Sequence, residues 1–169
     1  EFYSLKNNQN QSLSTVSAGG MQVQKSVFNK DQGYNVVNGQ KIILSEDELE
    51  QALTDSKLFS ELSYDYEIVK LVGSSTIDNQ KVYEIKISDN NTEYYSIETG
   101  LKVKEVENQL IDGNQIIIET TIKEYQEVNG ILIPSEINQV TPAVPIPGGI
   151  SIKFNTIELN VESSDSDFN

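Results

Sequence analysis

Apolar and polar residues alternate along most of this chain with a period of two, the spacing of strands that bury one face. Met21, Val23 and Val27 share one side of a run, as do Tyr83, Ile85 and Ile87, then Ile116, Ile118 and Ile122, then Ile150, Ile152 and Phe154. Between such runs stand Asn38-Gly39, Asp112-Gly113 and Asn129-Gly130, joined by Thr99-Gly100 and the polar cluster Ser88-Asp89-Asn90-Asn91. Asn-Gly and Asp-Gly tolerate positive φ at both central positions of a tight turn, which makes them hairpin markers. The pattern predicts strands over residues 11–17, 21–28, 33–37, 40–44, 66–72, 81–88, 93–98, 101–109, 115–125, 131–140 and 150–161. Loops this short join antiparallel neighbours, so the expected fold is mainly β, a meander. In the last run the apolar phase switches: Ile157, Leu159 and Val161 lie on the opposite parity from Ile152 and Phe154. A β-bulge near Asn155-Thr156 accounts for the switch, as does a strand that leaves one buried surface for another.

One segment departs from this period. Ser45-Glu46-Asp47-Glu48 is a capping-box pattern, and acidic residues in a first turn suit the helix dipole. Leu49, Ala52 and Leu53 form a narrow apolar stripe, which predicts a helix from 46 to about 57 that covers the sheet. Leu58, Phe59 and Leu62 continue as a second short turn. Pro142 to Gly149 holds three prolines, which remove ladder donors, so it reads as a loop between the last two strands. The expected organisation is one antiparallel β domain over 1–161 and an acidic tail over 162–169, with Phe168 suited to fold back.

Composition narrows the chemistry. The 169 residues include no His, no Cys and no Trp, and all 12 basic residues are lysine. Ser-His-Asp triads, Cys-His pairs and the usual zinc sites are therefore excluded, because they need imidazole or thiolate. A carboxylate pair for glycoside hydrolysis needs one carboxyl held in a cleft, and with 26 acidic residues along the chain a chance pair carries no weight. The net charge of -14 argues against nucleic acid and against an anionic membrane surface. No apolar run reaches the roughly 20 residues of a membrane span. The chain opens at Glu1-Phe2-Tyr3 without an initiator Met, which reads as a processed or trimmed chain and is compatible with a removed export signal.

Several stretches together resemble a periplasmic domain common in Bacteroidetes. They are Met21 to Asn29, Gly33-Tyr34, the Asn38-Gly39-Gln40 turn leading to the capped helix, Tyr94 to Val103, Tyr125 to Pro134, and Ile157 to Asn160 with Ser166 to Phe168. That domain is similar to the outer-membrane lipoprotein-sorting proteins, the LolA/LolB-like fold, and occurs at the C-terminus of M16 (insulinase-type) zinc peptidase homologues. The resemblance implies a curved antiparallel sheet, a half-barrel, with one short helix covering its concave face and a cavity that receives acyl chains. Two departures stand out. The chain starts inside an early strand, without the family's N-terminal helix and first strand, and it has no Arg to match the one that locks the lid in some carriers. M16 catalysis uses a His-rich zinc motif, so any peptidase chemistry lies in another domain.

The expected cavity lining is Leu49 and Leu53 of the helix with Ile85, Ile87, Ile116, Ile118, Ile122, Ile152 and Phe154 of the strands. Two functions from different classes fit. One is a non-catalytic periplasmic or outer-membrane domain that holds a lipid or lipoprotein acyl chain and needs no cofactor. The other is an accessory domain of a peptidase or outer-membrane complex without its own ligand. A calcium-stabilised module is a third reading, resting on the acidic turns Asp89 to Asn91 and Asp112 to Asn114, which lack the ligand spacing of a known calcium site.

Overall fold

Twelve strands, one α-helix and two short 3-10 turns make up the computed structural model, which describes residues 1–57, 59–111, 114–142 and 146–168. The strands form two antiparallel sheets, neither closed into a barrel. The chain is mainly β with one helix, the fold class its alternation predicts.

The described residues divide into two compact units. The first comprises Glu1–Ser63 with the described residues from Val161 on, and the second Tyr64–Asn160. In the first, β1 (Phe2–Lys6), β2 (Ser12–Ala18), β3 (Met21–Phe28), β4 (Gly33–Val37) and β5 (Gln40–Ile43) pair in sequence order as a meander. Asn38 and Gly39 both take positive φ (49° and 82°), the tight turn that joins β4 to β5. Helix α1 (Glu46–Asp55) starts at Ser45 with the expected capping box: the Glu48 N–H donates to Ser45 Oγ at 3.4 Å, and the Ser45 N–H donates to Glu48 Oε2 at 2.7 Å. The helix reaches the sheet where Gly33 leaves room. A Cβ on Gly33 would stand 2.8 Å from Leu44 Cδ1 and 3.0 Å from Leu49 Cδ1. Val27 is buried in this sheet, and the C-terminal segment returns to β2 through a 3-10 turn at Asp165–Phe168 whose Phe168 is only 1% exposed. The acidic tail therefore folds back at its one aromatic residue.

The second unit holds β6 (Lys70–Ile77), β7 (Gln80–Lys86), β8 (Asn91–Ser96), β9 (Lys102–Ile111), β10 (Asn114–Val128), β11 (Ile131–Val140) and β12 (Ile150–Lys153) in simple meander order. Its hairpins turn at Asp78-Asn79 and Asn129-Gly130, where all four residues have positive φ, and at Gly100. The Asp112-Gly113 turn lies outside the described residues, as do Leu58 and most of the apolar part of the Pro142 to Gly149 loop.

Three expectations differ from the structure. Phe2–Lys6 is a strand that the alternation did not mark, paired to β2 from Phe2 opposite Val16 to Lys6 opposite Ser12. The strand expected at 66–72 runs over Lys70–Ile77 instead, because Asp78-Asn79 supplies the turn. The strand expected at 150–161 stops at Lys153, so the phase switch beyond it marks the end of pairing and no bulge is needed.

Candidate functional site: an isoleucine face around a buried carboxylate

Cross-strand register decides which side chains share a face, because directly paired residues point the same way and alternate residues follow. Ile85 of β7 lies opposite Glu93 of β8, Glu93 opposite Glu105 of β9, and Glu105 opposite Thr120 of β10. Thr120 in turn lies opposite Gln139 of β11, and Gln139 opposite Ile150 of β12. Ile116 and Ile118 alternate with Thr120, and Ile122 continues the row to Ile137 and Ile152. One face of the seven-stranded sheet thus carries Ile85, Ile116, Ile118, Ile122, Ile137, Ile150 and Ile152, all half-buried. Their neighbour Ile117, on the opposite face, is 51% exposed.

The structure brings five of the nine expected lining residues onto this face: Ile85, Ile116, Ile118, Ile122 and Ile152. Ile87 and Phe154 keep the same alternation but lie one residue past the ends of β7 and β12, where their N–H groups bond the Asn91 and Ser135 carbonyls. Leu49 and Leu53 belong to the first unit, half-buried on α1, with Leu49 packed toward Gly33. Of the residues expected to continue the helix as a second short turn, Phe59 is half-buried and Leu62 is 83% exposed.

Set into the isoleucine face is a polar cluster that alternation missed. Glu93 is fully buried, and its carboxylate accepts from three donors. Tyr64 Oη donates to Oε1 at 2.5 Å, Lys102 Nζ to Oε1 at 2.7 Å, and Tyr95 Oη to Oε2 at 2.5 Å. Lys102 also faces Glu105 Oε2 at 3.6 Å, while Asn91 Nδ2 donates to Glu105 Oε1 at 2.7 Å. Tyr125 Oη closes the group with a 2.8 Å bond to the Lys102 carbonyl. Lys102 reaches this side because the register slips at Tyr94/Tyr95: Tyr94 pairs with Lys104 but Tyr95 with Lys102, leaving Val103 as an extra residue in β9. Burial pulls the Lys102 ammonium down, but the Glu105 and Glu93 carboxylates and the bond to Glu93 outweigh it and hold the group above the ordinary lysine range. Lys102 is therefore a fixed cation at neutral pH. Three donors hold the Glu93 carboxylate, and the cluster ties Tyr64 to strands β8 and β9.

Other polar surfaces are shallow. A hollow in the first unit is lined by Gln9, Gln11, Asn29, Lys30, Asp31 and Asp165, and one in the second by Asn79, Gln80, Lys81, Ile97 and Glu98. Neither lies on the isoleucine face. Among the described residues no three carboxylates gather to hold a metal ion, and no helix is long and apolar enough to cross a membrane.

No family model and no curated protein matches the sequence. Solved structures do match the fold. A DUF1329 family protein from Desulfovibrio piger superposes with a TM-score of 0.59 at 12% identity, over 99% of this chain and 80% of its own. A LolA superfamily protein from Nitrosomonas europaea superposes with a TM-score of 0.58 at 13% identity, over 98% of this chain and 81% of its own. The fold is LolA-like, as the sequence resemblance implied.

Proposed function

We propose that this is a non-catalytic domain of the periplasm or outer membrane that binds a lipid or lipoprotein acyl chain on the isoleucine face of its seven-stranded sheet. The observation that carries the reading is the shared face itself: Ile122, Ile137, Ile150 and Ile152 adjoin across β10 to β12, Ile116 and Ile118 continue the same face along β10, and Ile85 lies on it beyond the Glu93 cluster, each with part of its area open. Acyl-binding sites need such a surface with few polar anchors, and the Glu93–Lys102 cluster supplies a rigid polar border. The LolA-like fold supports the same reading. The absence of His and Cys, and the three donors that hold Glu93, support a role without catalysis.

The sequence stretches that resemble the C-terminal domains of Bacteroidetes M16 peptidase homologues favour a second reading, an accessory domain without a ligand of its own. Native mass spectrometry of the protein after gentle extraction separates the two. The carrier reading expects a co-purifying species of lipid mass, released by organic solvent. Apoprotein alone, from cells whose lipids are intact, favours the accessory reading.

A further inference from the structure

We infer that the acyl ligand of the isoleucine face carries a cationic headgroup, an ammonium, which the sheet seats over β9 between Glu105 and Glu107. The inference rests on the acyl-binding reading and adds the chemistry of the ligand's polar end.

The face is divided by strand. On β10 to β12 it consists of the isoleucines with Thr120 and Gln139 between them, all uncharged. On β8 and β9, among the described residues, it carries the carboxylates of Glu93, Glu105 and Glu107 against one cation, Lys102. That cation is already engaged: Lys102 Nζ stands 2.7 Å from Glu93 Oε1 and 3.6 Å from Glu105 Oε2. Negative charge is therefore in surplus along the border of the aliphatic surface.

Glu93 is shut in, but the other two carboxylates reach the ligand side. Glu105 keeps 26% of its side chain exposed, and Glu107 is half-buried directly across from Ile118. A chain lying over Ile118 meets Glu107 one strand spacing away, about 4.8 Å, with Glu105 two residues along the same strand. Amide donors steady both carboxylates without neutralising them: Asn91 Nδ2 donates to Glu105 Oε1 at 2.7 Å, and Gln109 Nε2 to Glu107 Oε2 at 3.3 Å. Asn91 Oδ1, in register with Glu107, is buried and accepts no hydrogen bond among the described residues, a further acceptor for a donor-bearing headgroup.

The same arrangement works against a free fatty acid. Its carboxylate would enter beside surplus negative charge, and the ammonium that could receive it is held by Glu93 and Glu105. Specificity comes from such repulsion as much as from attraction. A fatty acid still binds through its chain, only more weakly than the matching amine.

Dodecylamine, dodecanol and dodecanoic acid share one chain and differ in head charge, so calorimetric titration of each into the protein, at neutral pH and physiological salt, tests the inference. The amine should bind tighter than the acid by roughly tenfold or more, with the alcohol between, since hydrogen bonds to charged groups are about twice as strong as neutral ones. Glu105→Gln combined with Glu107→Gln keeps the acceptors and removes both charges, and should bring the amine-to-acid ratio to within roughly threefold. Glu84→Gln removes a carboxylate from the opposite face, in register with Tyr94, and should leave the ratio unchanged, which separates the local effect from the net charge of -14. Should the double variant not fold, Glu107→Gln alone, which leaves both Lys102 contacts in place, should still lower the ratio by roughly threefold. An acid that binds as tightly as the amine, a preference that persists in the folded variants, or one that Glu84→Gln lowers equally would each overturn the inference. If none of the three ligands saturates the protein, the acyl-binding reading itself fails and the headgroup inference falls with it.

Discussion

Replacing Lys102 by methionine isolates the energetics of the buried cluster. The substitution keeps the length of the side chain and removes one of three donors from a carboxylate that has no exposure. Removing one partner of a buried pair leaves an uncompensated charge and costs about 3 to 5 kcal/mol. Lys102 is itself 13% exposed at its side chain, and Tyr64 and Tyr95 remain to solvate Glu93, so the lower end of the range is expected. At about 2 to 4 °C per kcal/mol for a chain of this size, Lys102→Met should lower the melting temperature by about 6 to 12 °C. Urea unfolding followed by circular dichroism gives the free energy. A double-mutant cycle with Glu93→Gln removes the desolvation part, because Lys102→Met should cost much less once the acceptor is neutral. The pH dependence follows from the sign of the lysine shift. A group raised on folding contributes its full stability below its unfolded pKa, about 10.4 for lysine, and loses it as pH climbs through the higher folded value. The cost of Lys102→Met should therefore be constant from neutral pH to about pH 10 and shrink above it. A cost under about 1 kcal/mol, or one equal in the Glu93→Gln background, would refute this account of the cluster.

Ser45→Ala should destabilise α1 by about 0.5 to 2 kcal/mol, near the low end because the Glu48 N–H to Ser45 Oγ bond is long at 3.4 Å; an unchanged urea midpoint would mean that the cap contributes nothing. The bond from the Ser45 N–H lowers the Glu48 pKa, so the contribution of this capping box should be present above the ordinary glutamate range and fade as pH falls through the lowered value, read by circular dichroism of the Glu48→Gln variant against the parent. Gly33→Ala should cost about 1 to 3 kcal/mol by overpacking, since its Cβ meets Leu44 Cδ1 and Leu49 Cδ1 at 3.0 Å or less; a neutral result in thermal unfolding would show that the helix moves freely away from β4. Excess EDTA should leave the melting temperature unchanged, and a drop of several degrees would restore the calcium reading of the acidic turns.

Most of the fold was legible in the sequence because its signals were local. Asn38-Gly39 and Asn129-Gly130 forced hairpins, Ser45 and Glu48 announced the helix start, and two-residue alternation marked the strands. The isoleucine face was legible for the same reason, since Ile116, Ile118 and Ile122 alternate within one strand. What escaped depended on register. Glu93 looks like any other acidic residue of a β-rich run until β8 is set against β9. Lys102 and Glu105 differ in parity and share a face only because Val103 is an extra residue. Asp78-Asn79 lacks the glycine that marks a hairpin, so β6 was expected several residues too early. Phe2–Lys6 was missed because Phe2 and Tyr3 are adjacent apolar residues that break the alternation, and its pairing to β2 is what makes it a strand.

The central claim is that the isoleucine face holds an apolar chain, and titration of a fluorescent fatty acid into the protein tests it most directly. Ile118 lies on that face between Ile116 and Thr120, half-buried, and Ile118→Trp fills the surface beside it without adding charge. Saturable binding that phospholipid displaces, and that Ile118→Trp abolishes while circular dichroism and melting stay those of the parent, is the predicted result. Absence of saturable binding, or binding that Ile118→Trp leaves unchanged, would contradict the claim.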